Sequence, residues 1–196
     1  MNKQDFFNNW ANSYDCLFPS AFYQAIHQRL LEYVNLPPTA NILDLGCGTG
    51  KLLTRLAKTY PNLTGTGLDF SPVMLEKARE KNYDPQRLHF MAGDAENLPF
   101  PDRQFDAVFN TISFLHYQHP EQVLWEVKRV LKSPGYFYLA DYSYQAEDEL
   151  KVCFSPQGLK FYSRKKRQEL ADSVGLHCLS HHYLLGPIIL TIFVKD

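Results

Sequence analysis

The sequence predicts a single α/β domain built around a mostly parallel β-sheet. Short apolar runs bounded by turn residues alternate along the chain with helical patterns, and this alternation is typical of parallel strands joined by helices. The C-terminal end departs from the alternation, because two strand-like runs, 176–185 and 188–194, flank Gly186-Pro187 as in an antiparallel hairpin. We therefore expect a seven-stranded sheet with five alternating strands and a terminal antiparallel pair.

The bulk composition restricts the class of protein. A chain of 196 residues fits one domain, and its formal net charge of −1 gives no general reason to expect a nucleic-acid or membrane-surface partner. No apolar run approaches the roughly 20 residues that span a bilayer, and the N-terminus has no signal-peptide core. Four scattered cysteines without a CxxC pair favour a reducing, cytoplasmic setting. The composition leaves the oligomeric state open.

The individual elements follow from their residue patterns. Residues 1–36 are predicted to form an N-terminal helical extension, and Pro37-Pro38 connects it to a core spanning residues 40–196. Ser71 and Ser163 are expected to cap two helices, the second of which ends before Gly175. The five alternating strands are expected at residues 42–45, 63–68, 88–92, 105–110 and 136–140.

Five aromatic residues crowd the beginning of the chain. Two interpretations are compatible: a stripe that packs on the body of the domain, and a cover for a ligand pocket. Because an open parallel sheet exposes its ligand crevice at the strand ends, we predict that residues 5–18 form a mobile lid. The aromatic residues are Phe6, Phe7, Trp10, Tyr14 and Phe18.

The rest of the chain is organised around residues 41–50, which read NILDLGCGTG. A strand, a glycine-rich turn and a helix start form a backbone cradle that a cofactor can approach closely. Gly50 comes two positions after Gly48, whereas the dinucleotide fingerprint places its third glycine three positions on, and the leucine after Lys51 breaks the phosphate-loop motif. Asp44, inside the strand, suits a cation or an amine. A purely structural strand-to-helix turn is the alternative.

Two further acids follow predicted strands. Asp69 ends the second strand about 20 residues beyond the glycine turn, a position from which a carboxylate can accept hydrogen bonds from both hydroxyls of a ribose. Asp94 follows the third strand, where it could accept a hydrogen bond from an adenine amino group. An ordinary surface acid is the alternative for Asp69.

Together these features resemble the class I S-adenosylmethionine (SAM)-dependent methyltransferases, and in particular the small-molecule branch that includes quinone-biosynthesis enzymes. The resemblance covers roughly residues 14–193. It rests on Asp69 and on four runs in the family's order: LDLGCGTG, GDAENLPF, FDAVFNTISFLHY and EVKRVLKSPGYFYLADY. It implies a Rossmann-like methyltransferase fold with helices on both faces of the sheet, SAM as cofactor, S-adenosylhomocysteine as product and a small-molecule methyl acceptor.

The resemblance also implies roles for individual residues. Gly46 and Gly48 would let the backbone approach the methionine moiety of SAM, and Asp44 would hold water or the cofactor's ammonium. Asp69 would bind the ribose hydroxyls. The remaining cofactor contacts would be Phe70 beside the adenine, Asp94 and Ala95 at the adenine edge, Asn110 and Thr111 along the methionine tail, and Tyr14 closing over the cofactor.

The chemistry of methyl transfer suggests two candidate catalytic residues. SAM is already activated, so alignment and exclusion of water supply most of the acceleration, and a general base is needed only for an acceptor proton of high pKa. His116 follows the fourth strand and Asp141 ends the fifth, both at the sheet edge where ligands bind. Structural roles are the alternative for both residues. Tyr117, Tyr142 and Tyr144 either line the acceptor pocket or pack.

Several rival interpretations remain. A non-catalytic SAM-binding sensor would bind the cofactor without methyl transfer, and a nicotinamide-dependent oxidoreductase is disfavoured by the glycine spacing. The histidines and cysteine of residues 177–182 resemble a metal cluster, but strand alternation would place His177 and His181 opposite Cys178 and His182, so no metal site is expected. The basic run at residues 164–167 is expected to be a solvated helix face.

Overall fold

A computed structural model describes residues 17–144, 150–152 and 159–196. Within these residues the chain forms five α-helices, one 3₁₀ turn and nine strands. The helices are α1 (Leu17–Leu31), α2 (Lys51–Thr59), α3 (Pro72–Glu80), α4 (Pro120–Val130) and α5 (Arg164–Val174), and the 3₁₀ turn is η1 (Phe114–His116). The strands are β1 (Asn41–Leu45), β2 (Thr64–Asp69), β3 (Leu88–Ala92), β4 (Phe105–Thr111), β5 (Leu131–Tyr142), β6 (Leu150–Val152), β7 (Leu159–Phe161), β8 (His177–Leu185) and β9 (Ile188–Lys195).

Seven strands form one sheet in the order β3-β2-β1-β4-β5-β9-β8. Strands β1 to β5 pair in parallel, β9 runs antiparallel to β5, and β8 runs antiparallel to β9. This architecture confirms the predicted seven-stranded, mostly parallel sheet with its C-terminal antiparallel hairpin. The chain reverses its direction of travel across the sheet between β1 and β4, and open α/β sheets bind ligands beside the carboxyl ends of the strands at such a point.

Two hydrophobic cores lie on opposite faces of the sheet, because successive residues of a strand point to opposite sides. Ile42, Ala107 and Phe109 pack on one face with apolar residues of α1, α2 and α3. Leu43 and Val108 pack on the other face with residues of α4 and α5. The predicted placement of helices on both faces is therefore confirmed.

Local signals fixed the ends of two helices as expected. The Ser71 hydroxyl accepts a hydrogen bond from the Met74 amide at 3.3 Å, with a proline in the first turn of α3. The Ser163 hydroxyl accepts one from the Lys166 amide at 3.1 Å, and Gly175 ends α5 with a left-handed φ of 77°. These contacts satisfy backbone groups that helix ends otherwise leave unpaired.

Other expectations need correction or lie outside the described part. The two-stranded β6–β7 sheet was not expected, and β5 is longer than the predicted 136–140. The predicted lid spans residues 5–18; residues 5–16 of it, including Tyr14, lie outside the described residues, and only its α1 backbone at 17–18 is described. None of the helices within the described ranges is long and apolar enough to cross a bilayer.

One buried histidine makes the fold sensitive to acid. His27 on α1 is only 7% exposed, and its Nδ1 has no hydrogen-bond partner among the described residues. Burial, with smaller contributions from the positive charges of Arg55 and Lys51, lowers the pKa of His27 to about 3. The folded state therefore resists protonation between the unfolded pKa near 6.5 and that value, and stability is lost as the pH falls through this window.

We expect His27→Phe to flatten this acid dependence. Removing the imidazole removes a penalty that reaches roughly 2 kcal/mol at about pH 5, where the unfolded chain is protonated at this residue and the folded chain is not. Urea unfolding at about pH 7 and about pH 5 measures the difference, with His89→Phe at an exposed position as the control. An unchanged difference in unfolding free energy between the two pH values would contradict the assignment.

Candidate functional site

The candidate site lies at the carboxyl ends of β1, β2, β4 and β5. The glycine turn leaves β1 with three residues in the left-handed region: Gly46 at φ 73°, Gly48 at φ 52° and Gly50 at φ 73°. The Gly46 amide donates to the Leu68 carbonyl at 2.8 Å, so the turn is hydrogen-bonded to the end of β2. Gly50 then precedes the first residue of α2.

Asp44 is the most unusual charge in this region. Its side chain is 1% exposed, and neither carboxylate oxygen has a hydrogen-bond partner among the described residues. Burial, reinforced by the nearby Asp69 carboxylate, raises the pKa of Asp44 to about 7; the Leu53 backbone N–H lies near without meeting hydrogen-bond geometry and opposes the shift. A buried carboxylate without a partner is costly, so the site suits a ligand that brings a positive donor group.

Asp69 is placed to serve both the protein and a ligand. Oδ2 accepts the Gly48 amide and Oδ1 accepts the Ser71 amide, each at 2.8 Å. Burial raises the pKa of Asp69, while these backbone hydrogen bonds act in the opposite direction. A carboxylate has about four lone-pair sites, so each oxygen retains capacity for a further donor. Phe70, the next residue, leaves 46% of its side chain exposed beside it.

The segment after β3 is held against α4 by hydrogen bonds between its main chain and an ion pair within that helix. Asp94 is exposed and its Oδ1 accepts the Glu96 amide at 2.9 Å, whereas Ala95 is buried. Glu126 accepts the Leu98 amide at 2.6 Å and pairs with Arg129 at 2.8 Å. Arg129 also donates to main-chain carbonyls of this segment, at Leu98 and Phe100. This clamp fixes the stretch on which both adenine-edge candidates lie.

Asn110 belongs to a polar cluster that sits over Gly46. Asn110 is fully buried, and its Nδ2 lies 2.8 Å from the Leu45 carbonyl, 2.7 Å from Ser113 Oγ and 2.9 Å from Tyr117 Oη. A Cβ on Gly46 would lie 2.4 Å from Ser113 Oγ and 3.3 Å from Tyr117 Oη. The absence of a side chain at Gly46 is thus required by the protein's own Ser113, in addition to any ligand contact.

The comparisons with known proteins cover the part of the chain that carries this candidate site. The methyltransferase domain family matches residues 42–135, which include the glycine turn, Asp69, Asp94 and Asn110. A demethylmenaquinone methyltransferase of Thermotoga maritima is 40% identical over 108 residues, covering 55% of this chain and 46% of the relative. Over these matched segments the chain is similar to the class I SAM-dependent methyltransferases. The family and the SAM cofactor predicted from the sequence are thereby confirmed.

Two further comparisons define how far the likeness extends. A fatty-acid O-methyltransferase of Mycolicibacterium smegmatis is 41% identical over 100 residues, covering 51% of this chain and 36% of the relative. A solved chain from the Haloferax volcanii complex between the Trm112 methyltransferase activator and a methyltransferase superposes with a TM-score of 0.88 at 24% identity, covering 98% of this chain and 97% of that one. The chain spans about half or less of these curated relatives, and the solved structure supports the fold.

At the edge of the candidate site formed by the end of β4, the chain leaves the strand through a strained residue. Ile112 has a φ of 51°, and a β-branched residue in the left-handed region is an outlier that costs about 1–3 kcal/mol. The Ile112 amide donates to the Ala140 carbonyl at 2.8 Å, and η1 follows immediately. Strain of this kind persists only where surrounding contacts hold it, and it is concentrated at functional sites.

The two candidate catalytic residues occupy different environments. His116 is the last residue of η1 and is partly exposed. Asp141 is 2% exposed. Its Oδ2 accepts a hydrogen bond from the Leu115 amide at 3.0 Å, and its Oδ1 accepts one from the Tyr142 amide at 2.7 Å. Burial raises the pKa of Asp141 to about 6, opposed by the nearby Arg167 charge and by these backbone bonds. The catalytic roles of both residues remain predictions, and the geometry gives Asp141 a structural role in addition.

Aromatic rings surround the turn that carries His116. Phe114 meets Tyr117 edge to face at 5.7 Å between ring centroids and Tyr162 at 5.5 Å. Tyr142, at the end of β5, meets Phe161 of β7 at 5.9 Å. Tyr117 and Tyr142, two of the predicted acceptor-pocket tyrosines, therefore lie in aromatic contacts at this end of the sheet; Tyr144, the third, is 47% exposed.

Two features of the C-terminal region differ from the sequence prediction. A register shift between Cys178 and Ser180 interrupts strand alternation, so Cys178 Sγ lies 3.5 Å from His181 Nε2 instead of on the opposite face. Arg167, expected on a solvated helix face, is 2% exposed. The sequence did contain an indication that Arg167 is buried, because it lies three and four residues before Leu170 and Ala171, the other buried residues of α5. Among the described residues, no group of three or more candidate ligands could hold a metal.

Proposed function

We propose that this protein transfers a methyl group from SAM to a small-molecule acceptor. The observation that carries the proposal is the buried Asp44 carboxylate at the glycine turn, which lacks a partner among the described residues. SAM supplies a positively charged ammonium group, and a charge-assisted hydrogen bond to that group would offset the cost of burying Asp44. NAD offers no comparable amine on its pyrophosphate, and its fingerprint is absent from the sequence.

The other cofactor residues follow the same assignment. Asp69 would accept hydrogen bonds from the ribose hydroxyls while it also accepts one from the Gly48 amide. One carboxylate would then both stabilise the glycine turn and bind the ligand. Phe70 would lie along the adenine, and Asp94 with the Ala95 backbone would read the adenine edge. Asn110 and Thr111 would line the methionine tail from the end of β4. Tyr14 is assigned by resemblance alone.

In the transfer step, SAM supplies an electrophilic methyl group on a sulfonium centre. The protein has to align an acceptor lone pair with the methyl–sulfur bond and exclude water. The aromatic rings around η1 suit this task, because they exclude water and their faces favour a nearby cation. His116 is the candidate to accept a proton from an acceptor that must lose one; an acceptor without such a proton needs no base.

The acceptor is proposed at the level of a small molecule. The relatives named above are a demethylmenaquinone methyltransferase and a fatty-acid O-methyltransferase. The acceptors in these two names already differ in kind, one being a ring compound and the other a carboxylic acid. Purified protein incubated with methyl-deuterated SAM and each of these two acceptors, followed by mass spectrometry, tests the proposal. Appearance of a trideuteromethyl product with S-adenosylhomocysteine supports it. Tight SAM binding with no transfer to any acceptor from a metabolite extract would favour the non-catalytic sensor.

We expect Asp69→Ala to weaken SAM binding by on the order of 1–3 kcal/mol, the scale of a lost hydrogen bond to a charged group. The variant also leaves the Gly48 and Ser71 amides without their acceptor, so the glycine turn should loosen. Titration calorimetry with SAM measures the loss. Asp84→Ala is the control, because Asp84 pairs with Arg87 at the opposite end of β3. Binding of SAM by Asp69→Ala as tight as by the wild type would refute the ribose assignment.

A further inference from the structure

The buried arginine of α5 makes an unusual set of contacts. Arg167 Nη2 donates to the carbonyls of Asp141 and Tyr142 at 2.9 and 2.8 Å. Its Nη1 donates to the Ile189 carbonyl at 3.0 Å and to Thr191 Oγ1 at 3.3 Å. No carboxylate lies within ion-pair distance of the guanidinium among the described residues. A buried cation without an ion pair is costly, and the planar fork of arginine is what allows one side chain to satisfy several oxygens.

These acceptors lie where the fold meets the acceptor side of the site. Asp141 and Tyr142 are the last two residues of β5, and Asp141 pairs with Ile189 of β9. Arg167 therefore links the carboxyl end of β5 to its antiparallel neighbour β9 through hydrogen bonds to both strands. These hydrogen bonds add to the strand ladder at the point where the ladder finishes.

The side chain of Asp141 extends these contacts to η1, the turn that follows β4. Its Oδ2 accepts the Leu115 amide, which lies inside η1, the turn that carries His116. η1 begins two residues after Ile112, whose left-handed φ requires the surrounding structure to hold it. Asp141 thus supplies a contact that keeps the strained exit from β4 in place.

We propose that Arg167 is a positioning residue of the methyl-transfer site, acting through Asp141 to hold η1 in place. In this arrangement Arg167 fixes the main chain of Asp141, and the Asp141 carboxylate fixes Leu115 and with it His116. The inference rests on the proposed function for its catalytic meaning, but the mechanical coupling stands on the hydrogen bonds themselves. The position of the acceptor side of the site then depends on α5, a helix that follows the five alternating strands in the chain.

Hydrogen exchange on the full chain tests the coupling without any acceptor. In Arg167→Met we expect amides of residues 113–117 to exchange about tenfold faster, while those of the glycine turn at 46–50 keep their wild-type rates. Asp141→Asn should reproduce the effect, because an amide offers one oxygen where the carboxylate offers two. Arg167→Lys, which retains a cation and three donors, should restore part of the protection.

The controls separate a positioning role from general loosening. Arg129→Met is matched, because Arg129 also binds main-chain carbonyls; it should speed amide exchange at Leu98, Phe100 and Asp102 and leave 113–117 unchanged. In the double variant, Asp141→Asn and Arg167→Met should not add, since they act on one line of contacts. Wild-type exchange at 113–117 in folded Arg167→Met, or additive effects in the double variant, would overturn the proposal. Methyl transfer by the wild type from methyl-deuterated SAM tests the proposed function separately.

Discussion

Replacing Asp44 by asparagine is expected to weaken SAM binding roughly 10- to 100-fold while making the unliganded protein less sensitive to pH. The carboxylate is buried without a partner among the described residues, and its pKa is raised to about 7. The folded state therefore holds a proton that the unfolded chain releases near pH 4, and stability is lost as the pH rises through the window between the two values. Above about pH 7 the penalty reaches its full size, on the order of 4 kcal/mol.

Asparagine cannot ionise, so Asp44→Asn should lack that decline. We expect the difference in unfolding free energy between variant and wild type to move in favour of the variant from about pH 5 to about pH 8. The change with pH is the relevant measurement, because a buried amide has its own desolvation cost at both values. Urea unfolding at the two pH values and calorimetry with SAM measure the two effects on one variant.

The two effects together identify a binding group. Such a residue lowers the stability of the folded protein when it is charged, and yet the ligand needs it for affinity. Its charge is therefore stabilised by the ligand and not by the fold. In the wild type, SAM affinity should also fall as the pH drops below about 7, since protonated Asp44 cannot accept from an ammonium group. Equal affinity in wild type and Asp44→Asn, or parallel stability curves for the two proteins, would contradict the assignment.

The sequence predicted the strand-end positions of those candidate site residues that lie in locally encoded elements. Asp44, the glycine turn and Asp69 each lie at a strand end within a short run whose residue types already determine a strand, a turn or a helix cap. The structure brings them together because β1 and β2 are adjacent and parallel. A reader of the sequence needs only the parallel alternation of strands to place their carboxyl ends at the same sheet edge.

The parts that the sequence did not predict depend on contacts between distant segments. Nothing near Gly46 indicates that Ser113 will fill the space above it, and nothing near Arg167 indicates that its guanidinium will bind the end of β5. The same is true of Cys178 and His181, which a register shift brings together against the expected alternation. Such contacts are properties of tertiary packing, which local propensity does not determine.

The second large effect is expected at Gly46, where Gly46→Ala should both destabilise the protein and impair SAM binding. A φ of 73° costs an L-residue about 1–2 kcal/mol. The added Cβ would lie 2.4 Å from Ser113 Oγ and 2.7 Å from Ser113 Cβ, so packing should add about 1–3 kcal/mol. Ser113 cannot move without disturbing its contact with Asn110, which also holds the Leu45 carbonyl at the start of the turn.

Gly186→Ala separates the two costs. Gly186 also has a left-handed φ, of 55°, but a Cβ there would meet nothing within 4 Å among the described residues. Its loss of stability measures the backbone cost alone, and the excess seen in Gly46→Ala measures the packing against Ser113. Adding Ser113→Gly to Gly46→Ala should recover part of that excess, because it removes the two nearest atoms without changing φ but also removes the hydrogen bonds of Ser113 to Asn110 and Leu45. If urea unfolding gives the same loss for Gly46→Ala and Gly186→Ala, Ser113 does not constrain the glycine turn.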